Sequence, residues 1–486
     1  MFNTKRGACR GDDALQTANR EVPMDMNVAG NAVRPGGALA DKASESSYRT
    51  VTSLGDFGPW VSKLILELPC KVARSEVSAA SFNVFCRRHE LADGATLMRT
   101  ERGADHAAPS EGYVPVLAAY PCDAEGAPVP RASCVALELP ETRLTKRIEG
   151  TVLHSRCIEN RFRVTQLDPF AGEADSVCGL VFTRCAGDVC PALAGWETGR
   201  AERETDGMRL EYGYFTPACL GDHGAQEPGA ADGGTLPAQG RSKKAPLVVW
   251  LHGAGEGGDE VVRAVVGNRV TALSQASVQR FFGGAAWVLV PQCPTFWMDD
   301  GEKQLGRVNE SIYVRPLKAL IDEFVAAHAE QIDPDRIVIG GLSNGGFMTV
   351  RMVGDYPGFF CAGIPVCAPF FEENQTDEVV GRIARTPLWF VHAKGDELVD
   401  PRETSLPLYA RLRAVGAEVH MTYFDHVEDL TGVYREPDGR PKRTFNHGVW
   451  IHVYNDFCHT DLDGTNVVVD GEPVGCWEWA ARKRLA

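Results

Sequence analysis

Arg336-Ile-Val-Ile-Gly-Gly-Leu-Ser-Asn-Gly-Gly-Phe-Met-Thr-Val-Arg-Met352 is the stretch that decides how this chain is read. The apolar run 336–340 suits a strand, and 347–352 continues as a helix. Between them Gly341, Ser343 and Gly345 form a Gly-x-Ser-x-Gly core. A serine on so sharp a strand-to-helix turn is driven into a strained backbone conformation and stands clear of the sheet. Glycines on both sides are needed because a Cβ would meet the adjacent strand and helix. The pattern alone recurs by chance, and its flanks give it meaning. Ser343 is the candidate nucleophile; the alternative is a glycine-rich turn that merely contains a serine.

Outward from this turn, apolar strands alternate with helical segments from residue 245 onward. Strands are expected at 246–251, 286–291, 336–340, 362–367, 387–392 and 418–424, and helices near 259–275, 311–329, 345–353 and 403–415. Continuous apolar strands separated by helices mean a parallel sheet covered on both faces. The fold class expected is therefore α/β, doubly wound and mostly parallel. Residues 218–244 are rich in Gly, Ala, Asp, Gln and Pro and have little to bury, so they read as a flexible hairpin insertion between two strand-like flanks. Upstream, short alternating runs such as Val61-Ser-Lys-Leu-Ile-Leu-Glu-Leu and Cys134-Val-Ala-Leu-Glu-Leu are separated by Gly, Pro and Asp turns. They predict a small all-β sandwich over 56–205. Residues 1–55 are polar and aperiodic, the signature of a disordered tail. The organisation expected is thus 1–55 tail, 56–205 sandwich and 206–486 catalytic domain.

A serine hydroxyl needs a histidine to take its proton and an acid to orient that histidine. In a strand–serine–helix architecture the order is Ser, acid, His. After Ser343, the strand Leu388-Trp-Phe-Val-His-Ala runs into Lys394-Gly-Asp396-Glu-Leu-Val-Asp400-Pro. Asp396 is the candidate acid because catalytic loops gather at the carboxyl ends of parallel strands; Asp400 comes second, and a helix-capping carboxylate is the bland alternative. Past the last strand lie His426, His447, His452 and His459. His447, in Phe445-Asn-His-Gly-Val-Trp450, has a glycine beside it that lets its loop fold back over the sheet edge; the residues alone leave His426 as a rival. Leu251-His252-Gly-Ala-Gly-Glu-Gly-Gly258 follows a strand directly and can aim amides at a developing negative charge. Ala254, with Gly255 as the alternative, and Asn344 are the candidate oxyanion donors. His252 reads as a brace for that loop. The stretch lacks the ending of a P-loop and the spacing of a dinucleotide turn. Trp297 and Trp450 are candidate pocket residues, with core packing as the competing reading; the same holds for Trp60 and Trp196 as contacts of the sandwich.

Taken together, Trp250-Leu-His-Gly-Ala-Gly-Glu, Gly341-Leu-Ser-Asn-Gly-Gly, the Gly395-Asp396 loop, His447-Gly-Val-Trp450 and Pro291-Gln-Cys-Pro-x-x-Trp297-Met-Asp resemble the α/β-hydrolase superfamily. The likeness is to its prolyl-oligopeptidase-like and feruloyl-esterase-like branch, and it covers about 205–486. The preceding part, notably Phe57-Gly-Pro-Trp and Tyr212-Gly-Tyr-Phe-Thr-Pro, resembles the immunoglobulin-like domain of EstA-type esterases. The resemblance implies Ser343 as nucleophile, Asp396 as acid and His447 as base. The insertion at 218–244 and the polar tail depart from the usual pattern.

Composition narrows the classes. The chain has 486 residues with a formal charge of -15, 44% hydrophobic and 24% charged residues. This suits two globular domains and argues against nucleic-acid or anionic-membrane partners. No run approaches the roughly 18 apolar residues of a membrane span. The 15 cysteines are scattered with no Cys-x-x-Cys, so they read as reduced core residues, with neither a metal site nor a disulfide framework. No apolar leader follows the N-terminal basic pair, so the expected compartment is the cytoplasm. The function expected is a serine carboxyl-ester hydrolase acting on a small-molecule ester without metal or organic cofactor, self-association being compatible with the sequence. A prolyl-oligopeptidase-like peptidase is the alternative, although no propeller repeats precede the catalytic part. An inactive hydrolase domain serving as a scaffold is the third reading.

Overall fold

Two sheets organise the described residues, which in this computed structural model are 46–100, 106–150, 154–171, 176–217, 244–302, 307 and 309–485. The first sheet contains β1 (Ser46–Gly55), β2 (Gly58–Ala73), β3 (Phe82–Glu90), β4 (Glu111–Val114), β5 (Ala118–Cys122), β6 (Arg131–Glu138), β7 (Ile148–Gly150), β8 (Ser155–Gln166) and β9 (Val181–Val189). Their order is β4-β3-β8-β9-β1-β2-β6-β5, with β7 beside β8. Neighbours are antiparallel except β1 and β9. The path curls on itself. Leu64, Leu66, Val135 and Leu137 from one half share a core with Val84, Cys86, Phe162 and Val164 from the other. The Phe162 amide donates to the Tyr48 hydroxyl across that core at 2.8 Å.

Two boundaries differ from the sequence reading. Residues 46–55 are a strand, with Tyr48 and Val51 buried. This stretch is poor in aliphatic residues, and it becomes ordered by pairing with β2 and β9 rather than by its own composition. At the other end, β10 (Trp196–Arg200) pairs with β11 (Glu211–Phe215) and so joins the second sheet. Trp196 is accordingly a core residue there, its indole N–H donating to Ser274 Oγ at 3.0 Å. We propose that the two units divide between Val189 and Trp196.

The second sheet continues with β12 (Ala245–Leu251), β13 (Trp287–Pro291), β14 (Ile332–Leu342), β15 (Ala362–Val366), β16 (Leu388–Ala393) and β17 (Val419–Phe424), in the order β10-β11-β13-β12-β14-β15-β16-β17. The first two pairings, β10–β11 and β11–β13, are antiparallel and the rest parallel. β11 pairs with β13 and not with β12, so the expected hairpin around 218–244 is instead a crossover; its residues 218–243 lie outside the described ones. Period-two alternation sorts β12 onto two cores. Leu247, Val249 and Leu251 face α2 (Val314–Ala327), α3 (Asn344–Asp355), α4 (Asp377–Ile383) and α5 (Ser405–Ala414). Val248 and Trp250 face α1 (Val261–Val266), α6 (Trp450–Tyr454) and α7 (Cys476–Ala481). Each such fully buried aliphatic contributes about 1.5–3 kcal/mol.

The helix expected over 259–275 breaks after α1, where Gly267 is followed by Arg269 at φ 58°, and resumes as a 3₁₀ turn over Val270–Ser274. Among the described residues no helix is long and apolar enough to cross a membrane. The carboxyl ends of β12, β14 and β16, together with the chain beyond β17, converge on one rim of the sheet.

Candidate active site

Ser343 sits between β14 and α3 at φ 53° and ψ -116°, a conformation that L-residues rarely adopt. The surroundings impose it. Its amide donates to Val366 O at 2.8 Å, and its carbonyl accepts the first helical bond from Phe347 at 3.0 Å. A Cβ on Gly341 would lie 2.7 Å from Leu251 O, and one on Gly345 2.1 Å from the same oxygen. Both glycines are required because the elbow is pressed against the end of β12.

His447 lies in a 3₁₀ turn, Asn446–Gly448, that leads into α6. Its Nε2 is 2.8 Å from Ser343 Oγ. Its Nδ1 is 2.8 Å from Asp396 Oδ2 and 3.0 Å from Oδ1. A carboxylate at Nδ1 keeps the proton there and leaves the Nε2 lone pair to accept the serine O–H. The imidazole and the carboxylate are both dry: His447 is 2% exposed and the Asp396 side chain 0%. Burial pushes the Asp396 carboxyl up. Hydrogen bonds from His392, His447 and the Val399 amide outweigh it and hold the group well below the usual carboxylate range.

Two residues that the sequence reading passed over complete this arrangement. The fully buried His392 ring has Nε2 3.1 Å from Asp396 Oδ2 and 3.0 Å from Val399 O, and Nδ1 2.5 Å from Ser405 Oγ. Two acceptors at Nε2 require that nitrogen to carry the proton. The signal for it was its position in β16, four residues before the acid. Glu397 Oε2 accepts the amides of Asn446 at 2.9 Å and His447 at 3.3 Å, tying the acid loop to the histidine turn. No local pattern announces that contact, which spans 50 residues.

The rivals lie elsewhere. Asp400 forms an exposed pair with Arg402, and His426 pairs with Glu428 at 3.0 Å. His452 is buried with its ring 4.4 Å from Phe424, and His459 bonds to Asp456 O.

The loop after β12 forms a 3₁₀ turn, Ala254–Glu256. Among the described residues no hydrogen bond engages the amides of Ala254, Gly255 or Asn344. A Cβ on Gly253 would lie 2.7 Å from the Leu342 side chain, so the loop abuts the strand end that carries Ser343. His252 donates from Nδ1 to Gly253 O at 2.7 Å and accepts the Cys293 amide at Nε2 at 3.0 Å. Burial depresses it to about 4, so it is a neutral brace. Burial likewise pushes the neighbouring Glu256 carboxyl up to about 7, against a hydrogen bond from Asn268.

The two tryptophans separate. Trp297 is fully buried and props the loop from behind: its indole N–H donates to His252 O at 3.1 Å, and its amide donates to Asn344 Oδ1. It lines no opening, because its ring is packed between His252 and Tyr313. Trp450 stands edge-on to His447 at 5.7 Å and to the half-exposed Phe445 at 5.8 Å, walling the imidazole.

Cys367, Asp396 and His447 bring potential ligand atoms within 4.8 Å of one another. Burial and the adjacent Asp396 charge push the Cys367 thiol well above its ordinary range, and Asp396 and His447 are already committed to each other. This donor set suits a proton relay better than a cation.

Comparison with known proteins finds matches to both units. The profile of the esterase Ig-like N-terminal domain matches residues 47–167, and that of the prolyl oligopeptidase family matches residues 297–379. A solved thermostable esterase covers 90% of this chain and 99% of its own at 22% identity, with a TM-score of 0.63. A probable carboxylesterase of Oryza sativa subsp. japonica is 28% identical over 173 residues, 31% of this chain and 68% of the relative. Poly(3-hydroxyalkanoate) depolymerase C of Paucimonas lemoignei is 30% identical over 135 residues, 26% of this chain and 28% of the depolymerase. The chain therefore has the α/β-hydrolase fold preceded by an Ig-like domain. Within that class its sequence matches are to esterases and to the prolyl oligopeptidase family, each over part of the chain.

Proposed function

We propose that the chain is a carboxyl-ester hydrolase working through a covalent acyl-enzyme. Ser343 Oγ attacks the ester carbonyl carbon while His447 Nε2 takes its proton. The tetrahedral adduct collapses, the C–O bond to the alcohol breaks, and His447 returns the proton to the departing oxygen. Ionised Asp396 holds the imidazole in its tautomer and steadies the imidazolium. The amides of Ala254 and Asn344 receive the oxyanion. Water, deprotonated by His447, then attacks the acyl carbon, releases the carboxylic acid and restores Ser343. The carrying observation is the run Asp396–His447–Ser343, 2.8 Å at each link, ending on a serine in strained backbone at a strand end.

A small ester is the expected substrate, in line with the named activity of the carboxylesterase relative. Trp450 and the half-exposed Phe445 stand beside the imidazole and form one wall of the approach. The cytoplasm is the proposed compartment: among the described residues thirteen cysteines are unpaired, as suits a reducing environment.

Hydrolysis of a short-chain nitrophenyl ester tests the reading. Ser343→Ala is expected to lower kcat by at least about 10⁴-fold; equal rates would refute it. The match to the prolyl oligopeptidase family keeps a peptidase as the second reading. Faster cleavage of dipeptide amides than of matched esters would favour it.

A further inference from the structure

The tip of the β1–β2 hairpin, Gly55-Asp56-Phe57-Gly58, belongs to the N-terminal sheet yet ends inside the second unit. The Asp56 side chain is only 5% exposed. Its Oδ1 accepts from Arg269 Nη1 at 2.5 Å, and both its oxygens lie 3.1 Å from Asn455 Nδ2. Arg269 Nη1 also donates to Asn455 Oδ1 at 3.0 Å, closing a three-residue cluster. Asn455 is the residue that ends α6, and the helical run that it ends begins at the turn carrying His447.

Phe57 makes the second contact. Its ring meets Tyr434 edge-on at 4.9 Å, and Lys442 Nζ lies 4.5 Å above it. Tyr434 and Lys442 are bonded to each other through the backbone and belong to the irregular excursion that leaves β17 and returns at Asn446. The tip fits closely: a Cβ on Gly55 would lie 2.5 Å from the Tyr434 hydroxyl, and Gly58 takes φ 94° beside Gly267 O. One hairpin therefore holds both the chain entering the His447 turn and the helix leaving it.

We propose that this tip positions His447, with Asp56 as the principal positioning residue. The proposal rests on the reading of His447 as the base. An α6 end loosened at Asn455, or a loosened excursion at Tyr434, lets the imidazole drift from Ser343 while leaving the walls of the approach in place. Displacements of about 1 Å at a reacting group cost up to about 10²-fold in rate.

The test is kcat and KM for a nitrophenyl ester in the full chain, each normalised to serine titrated with a fluorophosphonate. Wild type that neither turns over nor is labelled would overturn the underlying reading, and this proposal with it. With active wild type, Asp56→Ala is expected to lower kcat about 10- to 100-fold with KM little changed. The exchange Asp56→Asn with Asn455→Asp keeps an amide, a carboxylate and Arg269 in the same cluster and is expected to restore kcat to within about threefold. Should Asp56→Ala not fold, Phe57→Ala and the exchange pair carry the comparison. A normalised kcat within about twofold of wild type in both Asp56→Ala and Phe57→Ala, whatever happens to Tm, would overturn the proposal.

Discussion

Ser343 and His447 meet at 2.8 Å, yet the chain delivers them in opposite ways. At the elbow the sequence signal is local. Five residues, Gly341 to Gly345, set the backbone, and the carbonyl of Leu251 leaves no room for any side chain at either glycine. His447 arrives at the end of an irregular excursion over 425–446. Its place is set by distant partners: Glu397 on its amide, Asp396 on its ring, Trp450 against its edge, and Asn446 Oδ1 accepting the Val427 amide. A strained but compact turn can be written in a motif, whereas a histidine held from many directions cannot.

The largest effect expected from this contrast is on the histidine. His447→Ala should lower ester turnover about 10⁴- to 10⁶-fold, while His426→Ala, which removes only surface contacts with Glu428 and Arg443, should stay within about twofold. Steady-state kinetics on the two variants checks both. The elbow should fail differently. Gly345→Ala puts a Cβ 2.1 Å from a backbone oxygen that has no freedom to move. A loss of roughly 3 kcal/mol in stability is expected, with activity falling alongside the melting temperature.

Much of the elbow and little of the histidine was legible in the sequence. The glycines on both sides of Ser343 carry their own steric reason, and Asp396 follows from the rule that loops at carboxyl strand ends gather catalytic groups. Four histidines after β17 offered no period or spacing to separate them; the glycine beside His447 favoured it but left His426 as a rival, and the family resemblance implied His447. His392 was hidden because a histidine in an apolar strand looks like core. Trp297 could be read as pocket or as core, because an indole next to a loop motif is ambiguous until its N–H finds His252 O. In the fold, the alternating apolar strands of the second sheet were plain, while β1 was lost in a polar tail because its burial comes from pairing with β2 and β9.

Smaller effects sharpen the contrast. Glu397→Gln keeps an oxygen near the Asn446 and His447 amides but removes its charge. It should lower kcat about three- to tenfold with KM little changed, since charged hydrogen bonds are roughly twice as strong as neutral ones. Last comes a pH effect on the loop after β12. Glu256 keeps its proton to about pH 7 in the folded chain, against an ordinary value of 4.5. The folded state therefore binds more protons between these values, and stability falls as pH rises from 4.5 to about 7. Glu256→Gln removes that loss. The difference in melting temperature, variant minus wild type, should grow across this window and level off above it; a constant difference would count against a protonated Glu256.

The most direct measurement is mass spectrometry of the intact chain and its peptides after reaction with a fluorophosphonate, in wild type and in His447→Ala. One adduct on Ser343 in the wild type, and labelling slowed by orders of magnitude in the variant, is the predicted result. An adduct on another residue, or equal labelling of Ser343 in both proteins, would contradict the account.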